Sequence, residues 1–299
     1  MIQFKPSNEG LSILYQNQII FQHTTTQPIF FLGNGNEHIE NYRGNFKIED
    51  QLESRVPLES YKINNQTITF FHQHFELSLL FKEINDRLII SMDSSHPFNR
   101  FWMRLYATPE EKVYGCGEQA SYFNLRKRNY PLWTSEPGVG RDKSSLTTFY
   151  ADKFDKAGGD YYTTYYPEPT FVSTRKYWFH VDTFAYSDFN FKNDTYHELC
   201  IWEVPKTMMF SVQSTYLEII ENLTDYTKRP PKLPEFLTDG MILGVQGGLS
   251  QVLSYLKQAQ DAGVKVSGLW CQDWAGHNYT SFGKRLYWNW VLNEKVYPN

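Results

Sequence analysis

Side chains able to grip a small polar ligand gather toward the end of the 299-residue chain. Gln246 and Gln272 each follow an apolar run, 241–246 and 264–270, the second within Trp270-Cys271-Gln272-Asp273-Trp274. If the two runs are neighbouring parallel strands, about 4.8 Å apart, both amides point into one crevice. Each amide offers two donors and an acceptor, a set suited to sugar hydroxyls. The same groups would serve equally to cap loop backbone. Just downstream, in Phe282-Gly283-Lys284-Arg285-Leu286-Tyr287-Trp288, Arg285 and Trp288 stand three apart, on one face if the segment is a helical turn. A guanidinium fork beside an indole N–H is a donor set with no acceptor, which matches a small oxyanion such as a carboxylate, phosphate or sulfonate. The alternative makes Arg285 a surface salt bridge and Trp288 a core residue.

A second concentration lies earlier, in Tyr114-Gly115-Cys116-Gly117-Glu118, in the stretch 131–141 and in 158–169, where Gly, Pro and aromatic residues are dense. Such composition predicts long ordered loops. Glu118 is the carboxylate that stands out there, either bracing the loops or touching a ligand. His72 and His74 alternate on an expected strand without a third ligand at matching spacing, so no metal is expected. Gly244, Gly247 and Gly248 do not have the spacing of a nucleotide-binding loop. No cofactor is implied.

Positioning these residues requires two kinds of architecture. Across residues 1–214, short apolar or alternating runs rich in β-branched and aromatic residues are separated by polar turns, which predicts an antiparallel β-sandwich or barrel. Aromatics make up 17% of the chain, and a large β core would absorb most of them. Residues 215–235 read as a helix, opened by a Thr215/Glu218 capping box and stopped by Pro230 and Pro231, then a stiff proline-rich linker. From 236 to 299 the pattern becomes strand, helix and strand, with Leu249, Val252, Leu253, Leu256 and Ala259 on one helix face and Gly263 closing it. This is a βαβ unit with parallel strands, which the family resemblance given below implies is the start of an incomplete (β/α)8 barrel. A whole barrel takes on the order of 200 to 250 residues, so the chain reads as the first piece of a longer protein.

Lys and Arg total 29 against 33 Asp and Glu, a net charge of −4, which argues against nucleic acid or an anionic membrane as partner. The first residues lack a signal layout and no apolar run approaches the roughly 18 residues of a membrane span, so the chain is expected to be cytoplasmic. Three scattered cysteines predict free thiols, and four Asn-x-Thr triplets are then incidental.

These stretches resemble the family 31 glycoside hydrolases. Val113-Tyr114-Gly115-Cys116-Gly117-Glu118 is similar to a segment of that family's N-terminal, galactose-mutarotase-like sandwich. The order Gln246, Gln272, Arg285, Trp288, with Gln272-Asp273-Trp274 and Phe282-Gly283-Lys284-Arg285 around it, resembles the sulfoquinovosidase subgroup. The resemblance implies a retaining α-glycosidase in which the glutamines hold sugar hydroxyls while Arg285 and Trp288 grip a sulfonate, with Glu118, Asp273 and Trp274 in support. It also places the two catalytic aspartates on later barrel strands, beyond Asn299, so these residues include no catalytic pair and the chain alone is expected to be inactive. Oligomeric state is not legible. Alternatives are an α-glucosidase or α-xylosidase of the same family, or a non-catalytic carbohydrate-binding sandwich.

Overall fold

The computed structural model describes residues 1–42, 44–280, 283–286 and 289–298. The chain separates into two compact units, Met1–Lys228 and Arg229–Asn299.

The first unit is built on two large antiparallel sheets. One has eight strands, running from Val113–Gly117 through Pro167–Ser173, Tyr177–Val181, Thr207–Val212, Arg87–Ser94, Phe75–Ile84 and Thr67–His72 to Ser60–Asn64. The other has six: Asn129–Leu132, Ser187–Asn190, Tyr196–Ile201, Arg100–Tyr106, Phe30–Gly33 and Val56–Pro57. A three-stranded sheet, Ile2–Ser7, Gly10–Tyr15 and Gln18–Thr24, and the hairpin Gly35–Tyr42/Asn45–Leu52 complete the unit's strands. Gln16 and Asn17, between Gly10–Tyr15 and Gln18–Thr24, are both at positive φ, the conformation of a tight two-residue hairpin turn.

Strand alternation decides which side chains enter the core. Along Arg100–Tyr106 the core takes Phe101, Met103 and Leu105, leaving Arg100, Trp102 and Arg104 for the opposite face. The aromatic surplus goes largely inward: Phe21, Phe30, Phe70, Phe81, Phe101, Phe171 and Phe179 are all fully buried. A polar knot sits among them. Glu111 accepts from the Tyr177 hydroxyl at 2.9 Å and from Ser173, with His197 Nε2 at 3.3 Å. Arg126 closes the knot by donating to the backbone carbonyls of Glu111 and Phe191.

The helix Tyr216–Thr227 starts with the expected capping box, Thr215 Oγ1 accepting from the Glu218 N–H and Glu218 accepting from the Thr215 N–H. It packs on the sandwich through Ile219, with Leu223 and Tyr226 beside Trp178 and Met209. The structure therefore groups this helix with the first unit, whereas the sequence pattern placed it with the linker. The helix at residues 146–155, capped by Ser145, had no counterpart in the sequence reading.

In the second unit Met241–Val245 and Val266–Cys271 pair in parallel, and the helix Gly248–Asp261 connects them. Val252 is buried and Leu256 and Ala259 are half-buried, while Leu249 and Leu253, expected on the same face, stay exposed. A second hairpin, His277–Thr280/Gly283–Leu286, follows. No helix among the described residues is long and apolar enough to cross a membrane.

Candidate functional site

The parallel register pairs Val245 with Cys271, so Gln246 and Gln272 occupy equivalent positions one residue beyond the paired strands. Their amides meet: Gln246 Nε2 donates to Gln272 Oε1 at 2.6 Å. Both side chains are exposed. The bond fixes one amide against the other and leaves Gln246 an N–H and its carbonyl oxygen for further partners. The two groups act as one preformed donor and acceptor surface.

Asp273, the next residue, behaves differently. It is 4% exposed, and its carboxylate accepts from the Gly247 N–H at 2.8 Å and from the Tyr297 hydroxyl. Burial works to raise its pKa, but the hydrogen bonds from Tyr297 and from the backbone of Gly247 and Gly248 hold it below the usual carboxylate range. Gly247 adopts φ +112°, a left-handed conformation that turns its N–H toward Asp273 at the helix start. The positive end of the helix dipole adds to this stabilisation of negative charge. Burial and the Asp273 carboxylate raise the Tyr297 hydroxyl well above its ordinary value, so it stays a donor. Asp273 thus ties together the rim, the helix start and the last described residues. Sequence reasoning missed Tyr297 entirely, because nothing local in Val296-Tyr297-Pro298 points 24 residues back.

Trp274 is half-buried and lies 6.0 Å, centroid to centroid, from Trp290. Arg285 is on a strand, not a helical turn: Gly283–Leu286 pairs antiparallel with His277–Thr280, Arg285 opposite Asn278. The expectation of a helical turn at Arg285 is therefore not met. The Arg285 guanidinium is exposed and forms no ion pair among the described residues. Trp288 lies outside the described residues.

Glu118 belongs to the first unit. Its N–H donates to the Tyr166 carbonyl at 2.8 Å, and its carboxylate faces Thr164 Oγ1 at 3.4 Å. Both contacts tie the end of the Val113–Gly117 strand to the loop at 164–166. The run Gly115, Cys116 and Gly117 is all at positive φ, forming a bulge in the strand edge. A Cβ at Gly117 would lie 2.0 Å from the Tyr166 carbonyl oxygen, so glycine is required there. His72 Nδ1 sits 3.2 Å from Glu59, and no cluster of metal-ligating side chains occurs among the described residues.

No protein-family model matches the sequence. The chain is 42% identical over 303 residues to the sulfoquinovosidase of Escherichia coli strain K12, covering 99% of this chain and 45% of that protein. It is also 42% identical over 298 residues to the sulfoquinovosidase of Agrobacterium fabrum strain C58, covering 100% of this chain and again 45% of the relative. The chain thus spans a little under half the length of the curated relatives it matches. Among solved structures, a family 31 sulfoquinovosidase from E. rectale, in complex with an aza-sugar inhibitor, superposes with a TM-score of 0.91 at 45% identity, covering 99% of this chain and 45% of that one. A Flavobacterium johnsoniae family 31 dextranase shares only the fold, with a TM-score of 0.51 at 14% identity, over 100% of this chain and 36% of its own. From end to end, the chain is homologous to the matching 45% of the family 31 sulfoquinovosidases.

Proposed function

We propose that the chain is part of a retaining α-glycosidase that cleaves α-glycosides of sulfoquinovose, contributing the sandwich and the substrate-gripping rim. In this reading Gln246 and Gln272 hold sugar hydroxyls, Arg285 and Trp288 engage the sulfonate, and Asp273 and Trp274 support the rim. The observation that carries it is the bonded pair of exposed glutamines at the ends of the parallel strands, within a chain 42% identical to sulfoquinovosidases. Hydrolysis with retention needs two carboxyl groups about 5 to 5.5 Å apart. Asp273 is committed to Gly247 and Tyr297, which argues for structural support over attack. The nucleophile and the acid/base are assigned to the portion of such enzymes that this chain does not match, and the 299 residues alone are proposed to be inactive.

Calorimetric titration of the chain with sulfoquinovose and with glucose tests the reading. Sulfoquinovose is expected to bind and glucose to bind far more weakly. Arg285→Ala is expected to weaken sulfoquinovose binding by roughly 1.5 to 3 kcal/mol, the range for a hydrogen bond to a charged group. Equal affinities for the two sugars, or an unaffected variant, would remove the sulfonate assignment. Release of 4-nitrophenol from its α-sulfoquinovoside by the chain alone would overturn the assignment of the catalytic carboxylates.

A further inference from the structure

The first unit carries a groove that the reading above does not use. The outer face of the six-stranded sheet, roofed by the hairpin Gly35–Tyr42/Asn45–Leu52, holds three cavities of about 730, 260 and 320 Å³. The first two share Ile48 and Tyr186 as walls, and the last two share Asn190 and Glu198, so they form one continuous trough.

Two features define its chemistry. Phe46, Trp133, Tyr186 and Trp202 form a ladder of half-buried rings, with successive centroids 5.8, 6.1 and 4.3 Å apart, running from the first cavity into the second. Short polar side chains lie beside them: register sets Asp188 opposite Cys200 and Asn190 opposite Glu198 on the floor, with Asn45 and Thr163 in the larger cavity. Flat apolar faces interleaved with hydrogen-bonding edges suit pyranose rings, which present C–H faces and hydroxyl rims. Most of the ions along the trough are already matched: Glu198 takes both Arg55 and Arg104 at 2.7 Å, Asp50 takes Arg100 at 2.7 Å, and Lys143 takes Asp152 at 2.7 Å. Lys156 is drawn over the Tyr42 ring. Burial raises the Asp188 carboxyl above its ordinary value, and its Oδ2 already accepts from Asn129 Nδ2 at 2.9 Å. Paired ions leave little to grip an ionic ligand and favour an uncharged one.

We infer that this trough binds a neutral oligosaccharide of hexoses, its rings stacked along Trp133 and Tyr186, beside a Trp202 ring that Arg100 already covers, and its hydroxyls bonded to Asn190 and its neighbours. The inference is independent of the rim assignment for Gln246, Gln272 and Arg285.

The test is titration of the 299-residue chain with maltotriose, isomaltotriose and cellotriose, three neutral glucose trimers, followed by calorimetry and by the indole N–H signals in NMR spectra. At least one trimer is expected to bind saturably and to shift the Trp133 and Trp202 signals. Tyr186→Ala should weaken that binding roughly tenfold, while Tyr186→Phe, which keeps the ring, should leave it within about twofold. Arg285→Ala should not change it, and sulfoquinovose should not compete. Absence of saturable binding by all three trimers in the wild-type chain would overturn the inference, whatever the variants do. So would binding that survives Tyr186→Ala in a folded variant, or that is lost in Arg285→Ala.

Discussion

Asp273 accepts one hydrogen bond from the start of a helix and another from a tyrosine near the end of the chain. Its depressed pKa has a definite sign of consequence. The stabilisation it provides is fully present above the ordinary carboxylate value and is lost as pH falls through the lower folded value. Asp273→Asn should therefore loosen the rim by roughly 1.5 to 3 kcal/mol at neutral pH, with the Gly247 amide exchanging hydrogen faster, and the difference from wild type should shrink in acid. Unchanged Gly247 exchange would mean that the carboxylate does not anchor this turn. At this scale the sequence revealed residue types and their likeness of position. Gln246 and Gln272 were legible as a pair because each ends an apolar run. Their mutual hydrogen bond was not legible, because it depends on strand register.

Elements follow the same division. The helix Tyr216–Thr227 was readable because its capping box is a contact between residues three apart. Thr215→Ala is expected to cost about 1 kcal/mol of stability, read as a lower urea midpoint with an unchanged slope. A midpoint equal to wild type would show that packing through Ile219 alone holds this helix. The helix 146–155 was not readable because its apolar residues do not face a core: Leu146, Phe149, Tyr150 and Phe154 are all more than half exposed and Thr148 is its buried residue. Amphipathic periodicity is the signal such readings use, and here it is missing. The segment around Arg285 failed for another reason. Arg285 was read on a helical turn, whereas pairing of Gly283–Leu286 with His277–Thr280 puts it on a strand.

Over the whole molecule, the sandwich is held by a fully apolar layer with the Glu111 knot inside it. Burial opposes ionisation of Glu111, yet the hydrogen bond and charge of His197, with Ser173 and Arg175, bring its pKa down to about 2. His197 itself is depressed, chiefly by burial and against the opposing pull of Glu111, and its Nδ1 lies 3.3 Å from the Arg126 guanidinium. The stability linked to Glu111 is present above its ordinary value of 4.5 and drains away as pH falls toward 2. With about 1.4 kcal/mol per pKa unit, this amounts to roughly 3 kcal/mol. Urea midpoints measured from pH 7 down to pH 3 should fall steeply for wild type. Glu111→Gln should start lower and fall less, and parallel curves would remove this group as the source.

The sequence by itself determined the alternation that makes a sandwich, the strand, helix and strand of the second unit, and the donor-rich residue types at its rim, because each is written in spacings of a few residues. Tertiary structure decided what those residues touch: Asp273 against Tyr297, Arg285 on a hairpin, Glu118 against the loop at 164–166, and a trough whose rings come from positions 46, 133, 186 and 202. The physical reason is that, the local hairpin of Arg285 aside, such contacts join residues 16 to 87 positions apart. They exist only once strand order and register have been chosen by the packing of the whole core.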